Sequence, residues 1–424
     1  MIVIKTDHSD VKNTRAVQLI TALCAGGLLV ACGTDGDNTT SPAAGASAEN
    51  AAAGSEPVEQ TSATQRLAFT HDDGIVIVDA DDLEPVGDVA TRGFIRLNPA
   101  GDGRHVFVSR PGGFGVLDMG TWTRQHGDHP HHYTAQPAMT ALAFGGEEPG
   151  HVVPHDDRIT LFSDGTGGID VVAPAELSRG KAESEQHQVS PHHGVAVARA
   201  DGTLVTTVGT EESRSGVQVL GPDNEVLASN DQCPGVHGEA IAADGVLAFG
   251  CQDGLLVVQG NNIEKIASPD TYGRIGNQAG AETSPVVLGD YKVDAEAELE
   301  RPTRISLTNT QTAELELVEL GTSYSFRSLG RGPNGEALVL GTDGDIHVID
   351  PFSGTTINRI EVIADWAEPV EWQAPRPTLF VMGSTAYVTD PANNKIVAVD
   401  LGTGDITAEN EFVAAPNELT GVTG

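Results

Sequence analysis

Leu67-Ala-Phe-Thr-His-Asp-Asp-Gly-Ile-Val-Ile-Val-Asp79 decides the fold, because three later stretches repeat its design. They are Leu247-Ala-Phe-Gly-Cys-Gln-Asp-Gly-Leu-Leu-Val-Val258, Ala337-Leu-Val-Leu-Gly-Thr-Asp-Gly-Asp-Ile-His-Val-Ile-Asp350 and Ala386-Tyr-Val-Thr-Asp-Pro-Ala-Asn-Asn-Lys-Ile-Val-Ala-Val-Asp400. Each reads as a short β-branched run, a tight polar turn and a second run, the pattern of a β-hairpin. The same unit is expected at 106–118 and 152–162. Asp79, Asp118, Asp350 and Asp400 end strands in equivalent places and read as turn caps.

Working outward, a further short strand is predicted before most hairpins, at 94–97, 139–144, 194–198, 238–242 and 326–330, and a fourth after them. Four antiparallel strands repeated around a ring make a β-propeller, which removes the exposed edges of a flat sheet. From residue 67 to the C-terminus, eight repeats require about 45 residues each and seven about 51. An all-β, closed eight-bladed propeller is therefore expected for 67–424, with seven blades as the alternative. The first hairpin lacks its own inner strand, and 417–422 offers one strand with nothing after it. The simplest closure pairs that last strand into the first blade.

Residues 1–31 read as a lipoprotein signal peptide. Lys5, Lys12 and Arg15 precede an apolar run, and Leu29-Val30-Ala31-Cys32 resembles the lipobox whose cysteine is acylated. Residues 32–66, poor in large apolar side chains, read as an acylated, flexible tether. The expected location is extracytoplasmic, with membrane contact only through the lipid anchor. A net charge of −36 argues against nucleic acid as a partner and favours attraction of cations. A monomer is expected. Cys233 and Cys251 are the only cysteines beyond residue 32, and the hairpin register brings both to one rim, so a disulfide is predicted.

The histidines carry the chemistry. Nine of fourteen, His71, His126, His129, His131, His132, His155, His192, His193 and His237, fall at turns that the repeat places on one rim. Neutral imidazole suits zinc or copper(II), whereas calcium requires oxygen ligands. His129, His131, His193 and His237 are the expected principal zinc ligands, with His126, His132, His155 and His192 as alternates or a second site. Asp128 is expected to ligate or to orient an imidazole. His105 and His151 are predicted at the other ends of their hairpins and are left out. Glu239 is a candidate ligand, general base or partner of Arg274. No GxSxG, HExxH or phosphate-binding motif is present, and the chain is not expected to be an enzyme.

Phe94-Ile-Arg-Leu-Asn-Pro99, His126-Gly-Asp-His129, Pro191-His-His-Gly194, Cys233-Pro-Gly-Val-His-Gly-Glu239, Gly273-Arg-Ile-Gly-Asn-Gln278, Thr322-Ser-Tyr-Ser-Phe-Arg327 and Asn417-Glu-Leu-Thr-Gly-Val422 together resemble the AztD family of zinc metallochaperones. The resemblance implies an extracytoplasmic propeller that binds Zn2+ and passes it to the solute-binding protein of a zinc ABC transporter. It associates the histidines at 126–132 and at 192 and 193 with metal. A histidine-rich stretch found near the mature N-terminus of some members is absent from 33–66. Two other readings compete: a metal-dependent, lactonase-like propeller hydrolase, and a metal-free protein-binding propeller.

Overall fold

A computed structural model describes residues 56–424. The expected signal peptide, the lipobox cysteine and most of the expected tether lie outside the described residues. Eight four-stranded antiparallel sheets follow one another along the chain. We number them as blades: blade 1 from Arg66 and blade 2 from Arg96, then blade 3 from Pro149 and blade 4 from Ala196. Blade 5 starts at His237, blade 6 at Gln278, blade 7 at Leu329 and blade 8 at Leu379. Blade 1 takes its innermost strand from the far end of the chain, where Leu419–Val422 pairs with Arg66–Phe69. The eight-bladed closed propeller and its terminal closure thus have the expected form.

The blades hold together through their faces. Strands such as Gly74–Asp79 and Leu247–Cys251 read as continuous apolar runs because a propeller blade is covered on both sides. Eight buried clusters result, one at each junction between neighbouring blades. The cluster of Leu67, Phe69, Tyr387 and Ile396 seals blade 8 to blade 1 and completes the ring. Truncating a ring such as Phe249, fully buried between blades 4 and 5, is worth about 3–5 kcal/mol. Polar groups reinforce the closure: the Arg327 guanidinium donates to Glu418 and to the Asn417 carbonyl, 3.1 Å away. Burial lowers the pKa of Arg327 to about 10, where it still carries its charge at neutral pH.

Strand ends are finished as the repeating aspartates suggest. The Asp350 carboxylate accepts from the amides of Phe352 and Ser353, and Asp400 does the same for Gly402 and Thr403. These bonds hold both carboxyls below their usual pKa, with the bond from Ser353 or Thr403 the largest cause.

Two register expectations need correction. Blade 2 is not regular: its third strand, Gly113–Asp118, is followed by an extra hairpin, Thr121–His126 with His129–Thr134, before the outermost strand Ala138–Gly145 returns. The strand expected at 139–144 is therefore an outer strand, not the inner strand of a new blade. In blade 3, Pro149–His155 is the innermost strand and Arg158–Ser163 the second, so the hairpin expected at 152–162 is one strand out of register. Periodicity shows where strands lie but not how many separate one blade from the next. The expected tether also ends sooner than residue 66, since Val58–Gln60 is a strand paired with His132–Thr134. It was overlooked because three residues carry too little alternation to signal a strand.

Cys233, in the loop before blade 5, is bonded to Cys251 at the turn between that blade's second and third strands, with Cα atoms 4.9 Å apart. The bridge closes an 18-residue separation inside the cluster between blades 4 and 5. Chain-entropy arguments assign such a loop about 3 kcal/mol. Replacing both cysteines by alanine is expected to cost about 2–4 kcal/mol of stability, read as a lower denaturation midpoint that added reductant no longer shifts.

Candidate metal centre

In a propeller blade the innermost strand starts at one rim, and the turn between the second and third strands returns to that rim. His151 lies near the start of the innermost strand of blade 3, His193 in the loop entering blade 4, and His237 at the first residue of blade 5. Three consecutive blades therefore present one imidazole each to a shared mouth. Their ring centroids are 5.1–5.8 Å apart, and one ligand atom from each lies within 4.8 Å of the others. His151 and His193 also line a cavity of about 840 Å³, together with Arg110, Asp164 and the aromatic pair Phe94 and Trp372.

Two strand irregularities aim these side chains. The pairing of blade 3 slips between Pro149 and Val152, leaving Gly150 and His151 in a bulge, and that of blade 5 slips between His237 and Glu239. Bulges turn side chains away from the regular alternation and are common beside functional sites. Gly238, at φ 69°, permits the second bulge. Gly150 is required for a different reason: a Cβ there would lie 2.3 Å from Asp164 Oδ1.

That close approach puts the Asp164 carboxylate where His193 Nδ1 donates to it over 2.5 Å. His237 Nδ1 donates to the Gly276 carbonyl at 2.6 Å, and His151 Nδ1 stands 3.4 Å from Glu239 Oε2. A carboxylate or carbonyl oxygen only accepts, so the donating Nδ1 of His193 and His237 carries the proton and Nε2 keeps a lone pair. Burial first, and His151 next, hold His237 well below the usual histidine pKa. Its ring is neutral at pH 7, the form that binds metal.

The other expected residues are placed as follows. His193 and His237 come together, and His151 joins them although the sequence reading set it aside. Its position follows from the register of blade 3. The four short strands at 149–155, 158–163, 168–172 and 185–188 must all precede blade 4, and counting back from Ala196 recovers it. His192 neighbours His193 but turns into the core, its Nδ1 donating to Ser190 O at 2.7 Å and its Nε2 2.8 Å from Thr207 Oγ1. His155 sits at the far end of its strand, beside Asp156. His71 is the half-buried last residue of the strand Arg66–His71, where its Nδ1 accepts from the Asp73 amide at 3.4 Å.

His126, His129 and His131 form a second group on the extra hairpin. That hairpin begins where the third strand of blade 2 ends, at the rim opposite the first group. His129 and His131 therefore do not lie with His193 and His237, contrary to the expectation from sequence that the four converge. His132 points to the other face of its strand and bonds Thr123 Oγ1 at 2.8 Å. Asp128 lies beside His129 Nδ1, 3.1 Å away, and Glu59 beside His131 Nδ1, 2.5 Å away. Asp164 and Glu59 were not recognised from sequence, because an aspartate after a strand looks like any turn cap and a lone glutamate carries no pattern.

Against known proteins, zinc chaperone AztD from Citrobacter koseri is 25% identical over 381 residues, covering 86% of this chain and 88% of that relative. The crystal structure of Citrobacter koseri AztD aligns with TM-score 0.75 at 25% identity, over 86% of this chain and 99% of that one. The chain resembles zinc chaperone AztD. The dihydro-heme d1 dehydrogenase NirN, 12% identical with TM-score 0.53 over 84% of this chain and 74% of that one, has the fold in common and no more. No protein-family model matches the chain.

His192 supplies a pH test separate from metal. Burial lowers its pKa, so the ring is neutral when folded and binds a proton more readily once unfolded. The unfolded state then holds more protons, and stability falls as pH drops below about 6.5. His192→Gln is expected to lose less stability than the wild type between pH 7.5 and 5.5, measured by urea midpoints on metal-free protein.

Proposed function

We propose that the protein is an extracytoplasmic zinc chaperone that holds Zn2+ at His151, His193 and His237 and hands it to the solute-binding protein of a zinc ABC transporter. The observation that carries this reading is the convergence of three imidazoles from three blades, two with Nδ1 fixed by an acceptor and His151 beside the Glu239 carboxylate. Three nitrogen donors suit zinc, and they leave a fourth position toward the cavity. Such a site binds firmly yet admits an incoming ligand, so the ion can change owners by stepwise ligand replacement without passing free through water. The acidic surface favours cation capture, and the buried disulfide fits an oxidising compartment outside the cytoplasm. The likeness to AztD supports the zinc assignment.

Glu239 faces His151, which favours orienting an imidazole over serving as the general base of a hydrolase. The reading is therefore of a carrier and not an enzyme. His129, His131, His126 and Asp128 stand at the other rim and take no part in this site. His132, His155 and His192 are assigned no metal.

Alanine at His151, His193 or His237 is expected to weaken zinc binding about 100-fold or more, while His155→Ala leaves it unchanged. Chelator competition on untagged protein, with circular dichroism as a folding control, measures this. Wild-type affinity in all three variants would remove the site. Transfer to a purified solute-binding protein that continues at full rate with excess chelator present is expected for direct handover; transfer abolished by the chelator would refute it.

A further inference from the structure

We propose that the cavity in front of the three imidazoles is a binding site of its own, for a small flat organic acid with two carboxylates, one held by arginine and the other free to complete the zinc shell. The coupling to zinc rests on the function proposed above. The pocket for the acid does not.

The cavity is far larger than an ion requires. It measures about 840 Å³ and has His151 and His193 in its wall. A water bound to the ion takes up only about 30 Å³ of such a space. Its volume is that of sites which enclose organic molecules, where a mainly apolar wall carries a few placed polar groups.

Those polar groups are cationic, in a chain with 24 lysines and arginines against 60 aspartates and glutamates. With carboxylates in such excess, an arginine that lacks one stands out. Arg110 lines the cavity, is exposed and, among the described residues, has no hydrogen bond or ion pair. Arg96, also in the wall, is only partly neutralised: its Nε stands 3.7 Å from Glu418 Oε2, while the other oxygen of that carboxylate accepts from Arg327. The two arginines belong to adjacent strands of blade 2, where Arg96 pairs with Ser109, the residue before Arg110. The Ser109 hydroxyl is buried and has no partner. Two guanidiniums in one hollow suit a carboxylate, whose two oxygens match their paired N–H donors. Glu147 and Glu148, exposed, line the same cavity and oppose additional negative charge, which favours two carboxylates over three.

The flat shape follows from Trp372. Its side chain is 53% exposed, yet the indole is held edge-on against Phe94 with ring centroids 5.0 Å apart. A fixed indole with bare apolar surface beside two cations is matched by an aromatic ring that carries carboxylates. An acid held by its first carboxylate at Arg96 and Arg110 has its second available for the open position of the ion on His151, His193 and His237, and zinc takes oxygen donors there. By linkage, metal and acid then tighten each other by the same factor.

The test titrates benzene-1,3-dicarboxylate by calorimetry into the full chain, metal-free and zinc-loaded. One equivalent is expected to bind the metal-free protein, and zinc is expected to tighten it about 10-fold or more. Arg110→Ala and Trp372→Ala should each weaken the metal-free binding about 5-fold or more, with Arg110→Lys recovering part of the loss. Glutarate, which has the two carboxylates but no ring, and benzene-1,3,5-tricarboxylate, which adds a charge, should both bind more weakly. No binding to metal-free protein at concentrations up to about 10 mM would overturn the pocket. Wild-type affinity in both alanine variants would overturn its location, and equal affinity for glutarate the part given to Trp372. Equal affinity with and without bound zinc would overturn the second carboxylate's part at the ion. Chelator competition reports separately whether zinc binds at all; were it not to bind, the chaperone reading would fall and the metal-free titration would still decide the pocket.

Discussion

Everything in this molecule depends on the pairing of Leu419–Val422 with Arg66–Phe69. A propeller has no central core; it is a circle of sheets, each held by its two neighbours, and its angular spacing is defined only when the circle is closed. The strand that closes it is short and would be weak alone. It is supported by the junction cluster around Phe69 and Tyr387 and by the buried charges of Arg327 and Glu418. With the circle shut, the loops entering blades 4 and 5 and the first strand of blade 3 take fixed positions, and three imidazoles meet that are 86 residues apart in sequence at their extremes.

The architecture was legible in the chain because a repeated hairpin with repeated turn aspartates is a long-range pattern assembled from local signals. Hydrophobic runs ended by Asp-Gly show where strands stop, and the unmatched strand at 417–422 shows how the ring is finished. The cysteine pair was equally legible. The placement of His193 and His237 at one mouth was legible because the first precedes and the second begins an inner strand whose position the pattern marks.

What escaped the sequence was set by insertion and by bulges. The extra hairpin in blade 2 follows the same alternation as a blade strand, so counting strands forward from blade 1 moved His151 to the wrong rim and His126 to the wrong neighbours. Counting backward from the well-marked blade 5 avoids that error. The acceptors behind the imidazoles were hidden more deeply. Asp164 matters because Gly150 lets it approach, and Glu59 because a three-residue strand docks beside the hairpin; both facts belong to tertiary packing and leave no local trace. The outcome at the three-imidazole mouth is one principle: a carboxylate or carbonyl behind a ring decides which nitrogen keeps its lone pair.

Closure by the terminal strand also makes the molecule nearly indifferent to where its chain begins. Gly424 lies against the segment just before blade 1, with Thr121 Oγ1 reaching Thr64 O and Thr123 Oγ1 reaching Gly424 O. Gly424 and Thr64 could be joined there and the ring reopened in another blade-to-blade loop, giving a circular permutant of the propeller. A break between blades 6 and 7 would leave the three-imidazole mouth in continuous chain. One between blades 3 and 4 would put a free terminus on the loop that carries His193, turning a fixed imidazole into a frayed one. Topologically the ring is uniform; chemically it has one arc that does not tolerate a seam.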